Sequence, residues 1–273
     1  MVKFSDYMEV NMKFTIFTFD SERNNSIKQE LERKLIKSNF IIDTQDPDIV
    51  FTIGGDGTVL RAIHHFMDAG KLPSVKFVGI HTGHLGYYTD WLPEEIDAML
   101  EFLATRKLQS YKYPLLEARL STGTEKRYKY ALNEFTILNA KRTQHLDIKI
   151  NNMFLESFRG TGICVSTATG STAYNKALGG ALIYPSLLAY QLTEIASINS
   201  NAYRTIGSPL IIPKEQKLHL ESEDWEGMTL TQDHLALDIS ELTAINITLS
   251  DKNVQFVKRK GGLFWNRVKD HFL

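Results

Sequence analysis

IVFTIGGDGTVLRAIHHF, residues 49 to 66, joins an apolar run, a glycine-rich turn and a second apolar pattern with helical spacing. The run from Ile49 to Ile53 is β-favouring and almost wholly apolar, which predicts a strand buried on both faces in a parallel sheet. Gly54 and Gly55 then permit a tight turn and close approach of a ligand to the backbone. The stretch therefore predicts a strand, a turn and a helix, and a helix start of this kind binds phosphate.

Asp56 is the charged residue at the mouth of this turn. A carboxylate there would repel phosphate unless it has another task, such as taking a proton from an attacking hydroxyl group or holding a metal ion. Asp-Gly is also a common turn sequence, in which the aspartate bonds only to its own backbone. We expect Asp56 or Thr58 to cap the helix that follows. The apolar positions of that helix are Val59, Leu60, Ile63 and Phe66.

Composition limits the possible partners and compartments. The 273 residues are 43% hydrophobic, which is enough material for two domains. A net charge of -1 gives no electrostatic reason to expect nucleic acid or an anionic membrane as partner. Without a long apolar run, and with acidic residues near the first methionine, the chain is expected to be cytoplasmic. The single cysteine, Cys164, lies in an apolar run and is predicted to be a buried thiol.

The hydrophobic patterns divide the chain into two parts. From Lys13 to about Leu108, strand-like and helix-like segments alternate, which is typical of βαβ units and a parallel, Rossmann-like sheet. From Tyr113 onward, runs of period two predict a second, β-rich domain. The segment 166–199 departs from that period and is compatible with a helix. In the first part, the GGDGT turn then lies at the carboxyl end of a strand, where ligands bind in open α/β sheets.

A pair of histidines and a pair of tyrosines follow a neighbouring predicted strand. His81 and His84 have a spacing that suits a metal ion, but no cysteine or carboxylate cluster accompanies them, so we expect no metal site of the protein's own. Tyr87 and Tyr88 can stack on an aromatic ligand or pack the edge of the core. Both alternatives stay open.

Polar residues mark three further places in the second half. The alternating run ALNEFTIL predicts one strand, and Asn133 and Glu134 interrupt it at its centre. This implies a buried hydrogen-bonding pair for a ligand or for an internal network. The hydroxyl-rich segment around Gly170 suits polar ligand atoms and equally ordinary helix capping. The basic tail, with residues 258–260 and Arg267, is most simply a solvated face. The hydroxyl residues around Gly170 are Thr167, Thr169, Ser171 and Thr172.

Four segments together resemble the NAD kinases, especially those of Gram-positive bacteria: GGDGT at 54–58, HTGHLGYYTDWLP at 81–93, ALNEFTI at 131–137 and STATGSTAYNKALGGALIYPSL at 166–187. The ordered set is specific, whereas GGDG alone also occurs in lipid kinases and phosphofructokinases. The resemblance implies an α/β domain formed by residues 12–111 with 250–273, because the chain end returns to it. It implies a β-rich NAD-binding domain over residues 112–249.

The resemblance also implies the reaction. It is the transfer of the γ-phosphoryl group of ATP, or of inorganic polyphosphate, to the 2′-hydroxyl of the adenosine ribose of NAD, which gives NADP. A divalent cation, Mg²⁺, is expected to arrive with ATP, and a homodimer or homotetramer is usual in the family. A GGDGT lipid kinase and a non-catalytic dinucleotide sensor are the alternatives.

On this match Asp56 is the general base and Gly57 lies beside it at the ligand. Asn133 and Glu134 fall on the pair that binds the adenosine part. The remaining pocket positions are Arg159, Thr161, Thr169, Thr172, Ala173, Tyr174, Asn175, Lys176, Ala177, Ala196 and His234.

Thr161 departs from the family pattern, since many relatives have RGDG where this chain has RGTG. A hydroxyl group can still form a hydrogen bond, but it cannot pair with a cation as a carboxylate does. The preference between NAD and its reduced form is therefore left open by the sequence.

Overall fold

A computed structural model describes residues 11–83, 86–105, 110–259 and 263–273. The chain divides into two compact units. The first consists of the residues up to Lys112 together with Val254–Leu273, and the second is Tyr113–Asn253. Among the described residues, no helix has both the length and the apolar composition needed to cross a membrane.

The first unit alternates strands and helices, as the sequence predicts. Its elements are β1 Lys13–Thr18, α1 Glu22–Lys37, β2 Ile41–Ile42, β3 Ile49–Ile53, α2 Asp56–Asp68, β4 Lys76–Ile80, α3 Ile96–Thr105, the end of β16 Ala244–Val257, and α5 Leu263–Phe272. The strands form a parallel sheet in the order β2-β1-β3-β4-β16. The predicted α/β fold with a parallel sheet is confirmed.

The central strand β3 is buried along its whole length, because it pairs with β1 on one side and β4 on the other. Helix α1 covers the sheet with Ile27, Leu31 and Leu35, which recur every four residues and are all buried. The core also contains Phe14 and Phe51, whose rings meet edge to face at 6.3 Å. This packing holds the β3 carboxyl end, where the GGDGT turn begins.

The second unit is built from two antiparallel sheets, which confirms the predicted β-rich domain. One contains β5 Ser110–Ser121, β6 Lys126–Ala131, β8 Gln144–Ile150, β9 Met153–Gly160, β13 Leu218–Glu221 and the first part of β16. The other runs in the order β12-β11-β10-β7-β14-β15, from β7 Glu134–Leu138, β10 Gly162–Thr167, β11 Ala189–Ile195, β12 Leu210–Pro213, β14 Thr229–Gln232 and β15 Leu235–Asp238. One hydrophobic core draws residues from both sheets, among them Leu116, Phe135, Tyr190 and Leu220. Cys164 is fully buried, as predicted.

Two local predictions are wrong. ALNEFTIL is not one strand, because the chain bends at Leu132 and Asn133 and passes from β6 in one sheet to β7 in the other. The segment 166–199, whose composition is compatible with a helix, forms only a 3-10 turn, Thr169–Thr172, and the short helix α4, Tyr174–Ala177. Gly179, with a φ of 81°, ends that helix. Further along the segment, residues 189–195 pair with β10 as strand β11.

Candidate active site

The GGDGT turn connects β3 to α2 as the sequence predicts. Gly54 has a φ of 149°, and a Cβ atom added to it would lie 2.2 Å from Oγ1 of Thr58, so only glycine fits there. Helix α2 begins at Asp56 with Gly55 as its N-cap, and no side chain caps it. The expectation that Asp56 or Thr58 caps the helix is therefore wrong, since the Asp56 carboxylate is bound elsewhere.

Asp56 bonds to the loop that follows β4. Its Oδ2 atom accepts from the amide of Tyr87 at 2.7 Å, and its Oδ1 atom accepts from the amide of Tyr88 at 2.9 Å. A Cβ atom added to Gly86 would lie 2.1 Å from Asp56 Oδ1, so the carboxylate packs directly against that backbone. Two consecutive amides therefore fix the orientation of a half-buried carboxylate at the start of α2.

Gly55 and Gly57 flank Asp56, and both are exposed. A Cβ atom added to either would meet nothing within 4 Å, and neither has a positive φ. No contact or backbone strain within the described residues therefore requires glycine at these two positions. The first turn of α2 leaves amide groups without partners inside the helix, beside open space that a ligand can enter.

The rings of Tyr87 and Tyr88 pack within the first unit. Tyr88 is 4% exposed and stacks on Phe256 with ring centroids 5.3 Å apart. Tyr87 stacks on Phe272 of α5 at 6.3 Å. Of the two alternatives from the sequence, packing at the core edge is the one observed, and the backbone of this loop, not its rings, faces Asp56.

His81 takes part in a local backbone contact, with its Nδ1 atom 3.2 Å from the carbonyl oxygen of Gly83. His84 lies outside the described residues. Within the described ranges, no three histidine, cysteine or acidic side chains are grouped so as to hold a metal ion.

In the second unit, Asn133 and Glu134 lie at the bend between β6 and β7, and each is 8% exposed. The carboxylate of Asp233 holds this bend: it accepts from the amides of Leu132 at 2.9 Å, Asn133 at 2.7 Å and Glu134 at 3.2 Å. Sequence reasoning selected the neighbouring His234 and missed Asp233. The signal was present, since aspartate in a short turn between two strands tolerates the left-handed conformation, here a φ of 51°.

Glu134 is a buried acid with an unusual electrostatic setting. Burial, and then the charge of Asp233, raises the pKa of Glu134 from 4.5 to about 8. Its Oε2 atom has no hydrogen-bond partner in the part of the chain that the structure describes. The arrangement leaves a buried polar atom available to an incoming donor or acceptor.

We expect Glu134→Gln to stabilise the ligand-free protein at neutral pH. With a pKa of about 8, the folded protein keeps a proton that the unfolded chain loses from about pH 4.5 upward. The free energy of unfolding of the wild type therefore falls as the pH rises from 4.5 to 8, and glutamine removes that fall. The gain is roughly 1 to 3 kcal/mol near neutral pH and close to zero at about pH 4.

Urea denaturation followed by circular dichroism at several pH values measures this gain. Glu241→Gln, at an exposed position of the same unit, is the matched control and should change nothing. An equal effect of Glu134→Gln at pH 4 and near pH 7 would contradict the electrostatic explanation.

The hydroxyl-rich segment after β10 packs on the backbone of the same bend. Thr167 donates from its amide to the carbonyl oxygen of Asn133 at 2.9 Å and from Oγ1 to that of Leu132 at 2.6 Å. Its Oγ1 atom also accepts from the amide of Gly170 at 2.9 Å. A Cβ atom added to Gly170 would lie 2.2 Å from the carbonyl oxygen of Asn133. The structure thus brings Thr169 and Gly170 together with Asn133 and Glu134.

The predicted positions from 172 to 177 differ in their surroundings. Asn175 is fully buried, and its Oδ1 atom accepts from Oγ1 of Thr193 at 2.8 Å, so its amide serves the internal packing of the segment. Tyr174 is 42% exposed. The neighbouring positions are half-buried or exposed, namely Thr172, Ala173, Lys176 and Ala177.

The other predicted positions lie around the ends of β9 and β11. The guanidinium of Arg159 lies 4.1 Å from the ring centroid of Tyr203. Thr161 joins β9 to β10, and its amide donates to the carbonyl oxygen of Ile195 at 3.1 Å. Ala196 is exposed and has a φ of 46°, a conformation that costs free energy in a residue other than glycine. His234 is exposed in the turn beside Asp233.

Comparison with known proteins accounts for both units. The ATP-NAD kinase N-terminal domain matches residues 7–108, and the ATP-NAD kinase C-terminal domain matches residues 132–259. The chain belongs to the NAD kinase family. Its activity is thus the ATP-dependent phosphorylation of NAD to NADP, and the lipid kinase alternative is wrong.

Relatives along the full length agree with this assignment. NAD kinase 1 of Bacillus anthracis is 40% identical over 264 residues, which are 96% of this chain and 99% of that protein. The NAD kinase of Geobacillus stearothermophilus is 41% identical over 263 residues, 95% of this chain and 96% of that one. A yeast NADH kinase complexed with NADH has the same fold, with a TM-score of 0.82 at 17% identity over 95% of this chain and 87% of that one.

Proposed function

We propose that Asp56 is the general base of this NAD kinase and accepts the proton of the 2′-hydroxyl of the adenosine ribose. The observation that carries the proposal is the pair of hydrogen bonds from the amides of Tyr87 and Tyr88, which hold the Asp56 carboxylate in one orientation. The two glycines that flank Asp56 have open space at their Cβ positions. A ribose hydroxyl is a poor nucleophile, and a positioned base contributes about 100- to 10,000-fold to such a step.

The start of α2 is the proposed site of the ATP phosphates. Its first-turn amides and the positive end of the helix dipole favour anions, and Gly55 and Gly57 leave room for phosphate at the backbone. The described residues offer no metal cage of their own, so the Mg²⁺ is proposed to enter as part of the Mg-ATP substrate. An NAD kinase from Archaeoglobus fulgidus in complex with ATP shares this fold, with a TM-score of 0.73 at 23% identity.

Asn133 and Glu134 are proposed to bind the adenosine part of NAD in the second unit. The unpartnered Oε2 atom of Glu134 supports this role, because a ribose hydroxyl can donate to it. The other pocket positions carried over from the family, including Thr161, remain proposals. Since the yeast enzyme was solved with NADH, the reduced form is a candidate substrate as well.

An activity assay on the protein tests the reaction. The protein is incubated with NAD, ATP and Mg²⁺, and NADP is followed through an NADP-specific dehydrogenase. Phosphorus NMR of the product then distinguishes a 2′-phosphate from a 3′-phosphate. We expect the 2′-phosphate, and parallel arms with polyphosphate and with NADH measure the donor and acceptor preferences.

Binding of NAD without formation of NADP from either donor would contradict the proposal and favour the sensor alternative. In that case Thr161→Asp is the variant to make. The cytoplasmic location and the assembly into a homodimer or homotetramer stay predictions. Size-exclusion chromatography with light scattering measures the assembly directly.

A further inference from the structure

Lys258 and Arg267 lie inside the first unit, although the sequence suggested a solvated basic face. Arg267 is 4% exposed and pairs with Asp90, which is 9% exposed. Part of the Lys258 side chain remains accessible, but its ammonium group is enclosed, and this burial lowers the pKa of Lys258 to about 8. Two buried cations therefore lie in the unit that carries Asp56.

Both cations donate to one carbonyl oxygen. The ammonium of Lys258 donates to the carbonyl of Tyr87 at 2.8 Å, and Nη1 of Arg267 donates to the same oxygen at 2.5 Å. The carbonyl of Tyr87 and the amide of Tyr88 belong to one peptide group. That amide is the donor to Oδ1 of Asp56 at 2.9 Å.

This geometry has a direct electrostatic consequence. A peptide group is a dipole, and cations at its oxygen end strengthen donation at its N–H end. Hydrogen bonds to charged groups are also shorter and stronger than neutral ones. The peptide between Tyr87 and Tyr88 therefore transmits the effect of two buried cations to the Asp56 carboxylate.

We propose that Lys258 and Arg267 are positioning residues for the phosphoryl transfer, acting on Asp56 through the peptide group between Tyr87 and Tyr88. The inference rests on the proposed role of Asp56 as general base. Lys258 directly follows β16, and Arg267 lies on α5, so both residues belong to the end of the chain, which is part of the first unit. The proposal therefore gives this end of the chain a role in catalysis.

The surroundings of Lys258 make the effect dependent on pH. Its ammonium faces the charges of Asp90 and Asp56, which favour the protonated form, and that of Arg267, which opposes it. The rings of Tyr88 and Phe256 lie 5.7 Å and 5.3 Å from its Nζ atom. With a pKa of about 8, Lys258 loses its proton on the alkaline side of neutrality, whereas an arginine at this position would stay charged.

The test compares Lys258→Met, which removes the charge, with Lys258→Arg, which keeps it. We expect Lys258→Met to lower kcat by about 10- to 50-fold while KM for NAD and ATP changes by less than about threefold, since positioning acts on the reaction step. We expect Lys258→Arg to restore kcat to within about threefold of the wild type. It should also abolish the alkaline decline of kcat near pH 8 that we expect of the wild type from the pKa of Lys258.

Lys269→Met is the matched control, because Lys269 is exposed on α5, and it should leave kcat and the pH profile unchanged. If Lys258→Met does not fold, the pH profile of kcat for Lys258→Arg tests the proposal by itself. A wild-type kcat in folded Lys258→Met, or an unchanged alkaline decline in Lys258→Arg, would overturn the proposal.

Failure of this proposal is distinguishable from failure of the base assignment. An active Asp56→Asn variant refutes the base role itself. An inactive Asp56→Asn together with a fully active Lys258→Met refutes only the action of Lys258 through the peptide.

Discussion

Asp56→Asn is expected to bind NAD with nearly wild-type affinity and to lose about 100- to 10,000-fold in kcat. Asparagine has almost the same shape, but its amide cannot accept the proton of the ribose hydroxyl. It also has a single acceptor oxygen for the two amides of Tyr87 and Tyr88, so some loosening of the loop contributes to the loss.

Steady-state kinetics with the coupled NADP assay measure kcat, and calorimetric titration with NAD measures binding. Asp68→Asn is the control, because it makes the same change at an exposed position at the other end of α2. Thermal denaturation of both variants separates a folding defect from a chemical one. Near wild-type turnover in Asp56→Asn would exclude Asp56 as the base.

The second large effect is expected from Gly170→Ala. Its new methyl group would lie 2.2 Å from the carbonyl oxygen, 2.5 Å from the carbonyl carbon and 2.6 Å from the Cα atom of Asn133. A backbone cannot yield as a flexible side chain does, so the bend at Asn133 must move. That movement strains the bonds of the bend to Thr167 and Asp233.

We expect Gly170→Ala to lower the free energy of unfolding by about 3 kcal/mol, the upper end of the usual cost of overpacking, because the clash is with backbone atoms. We also expect it to weaken NAD binding, because Asn133 and Glu134 are the proposed adenosine contacts. Urea denaturation and NAD titration measure the two effects. Gly123→Ala is the control, because its methyl group meets nothing within 4 Å. Equal stability of the two variants would show that the bend at Asn133 can move at little cost in free energy.

Much of the architecture follows from local patterns in the chain. The apolar run from Ile49 to Ile53 is the buried central strand, and the helical spacing after it is α2. Such patterns are readable because a strand or helix is specified within a window of 5 to about 18 residues. The four ordered segments likewise identified the family, which the matches to both domains confirm.

Local patterns were misleading where tertiary contacts override them. ALNEFTIL has the alternation of one strand, but Asp233 binds three consecutive amides in its middle and the chain changes sheets there. The Ala- and Leu-rich segment has helix propensity, but pairing with β10 makes residues 189–195 a strand. Propensity contributes less free energy than such packing does.

By itself the sequence determined the two fold classes, the position of the GGDGT turn at the end of a parallel strand, and the family with its reaction. Only the tertiary structure decided what holds Asp56 and the bend at Asn133, because these bonds join residues 31 and 100 positions apart. The burial of Arg267 depends on a contact across 180 positions. A charged residue in a polar tail has the same local pattern whether water or a distant carbonyl group receives its hydrogen bond, and folding alone distinguishes the two.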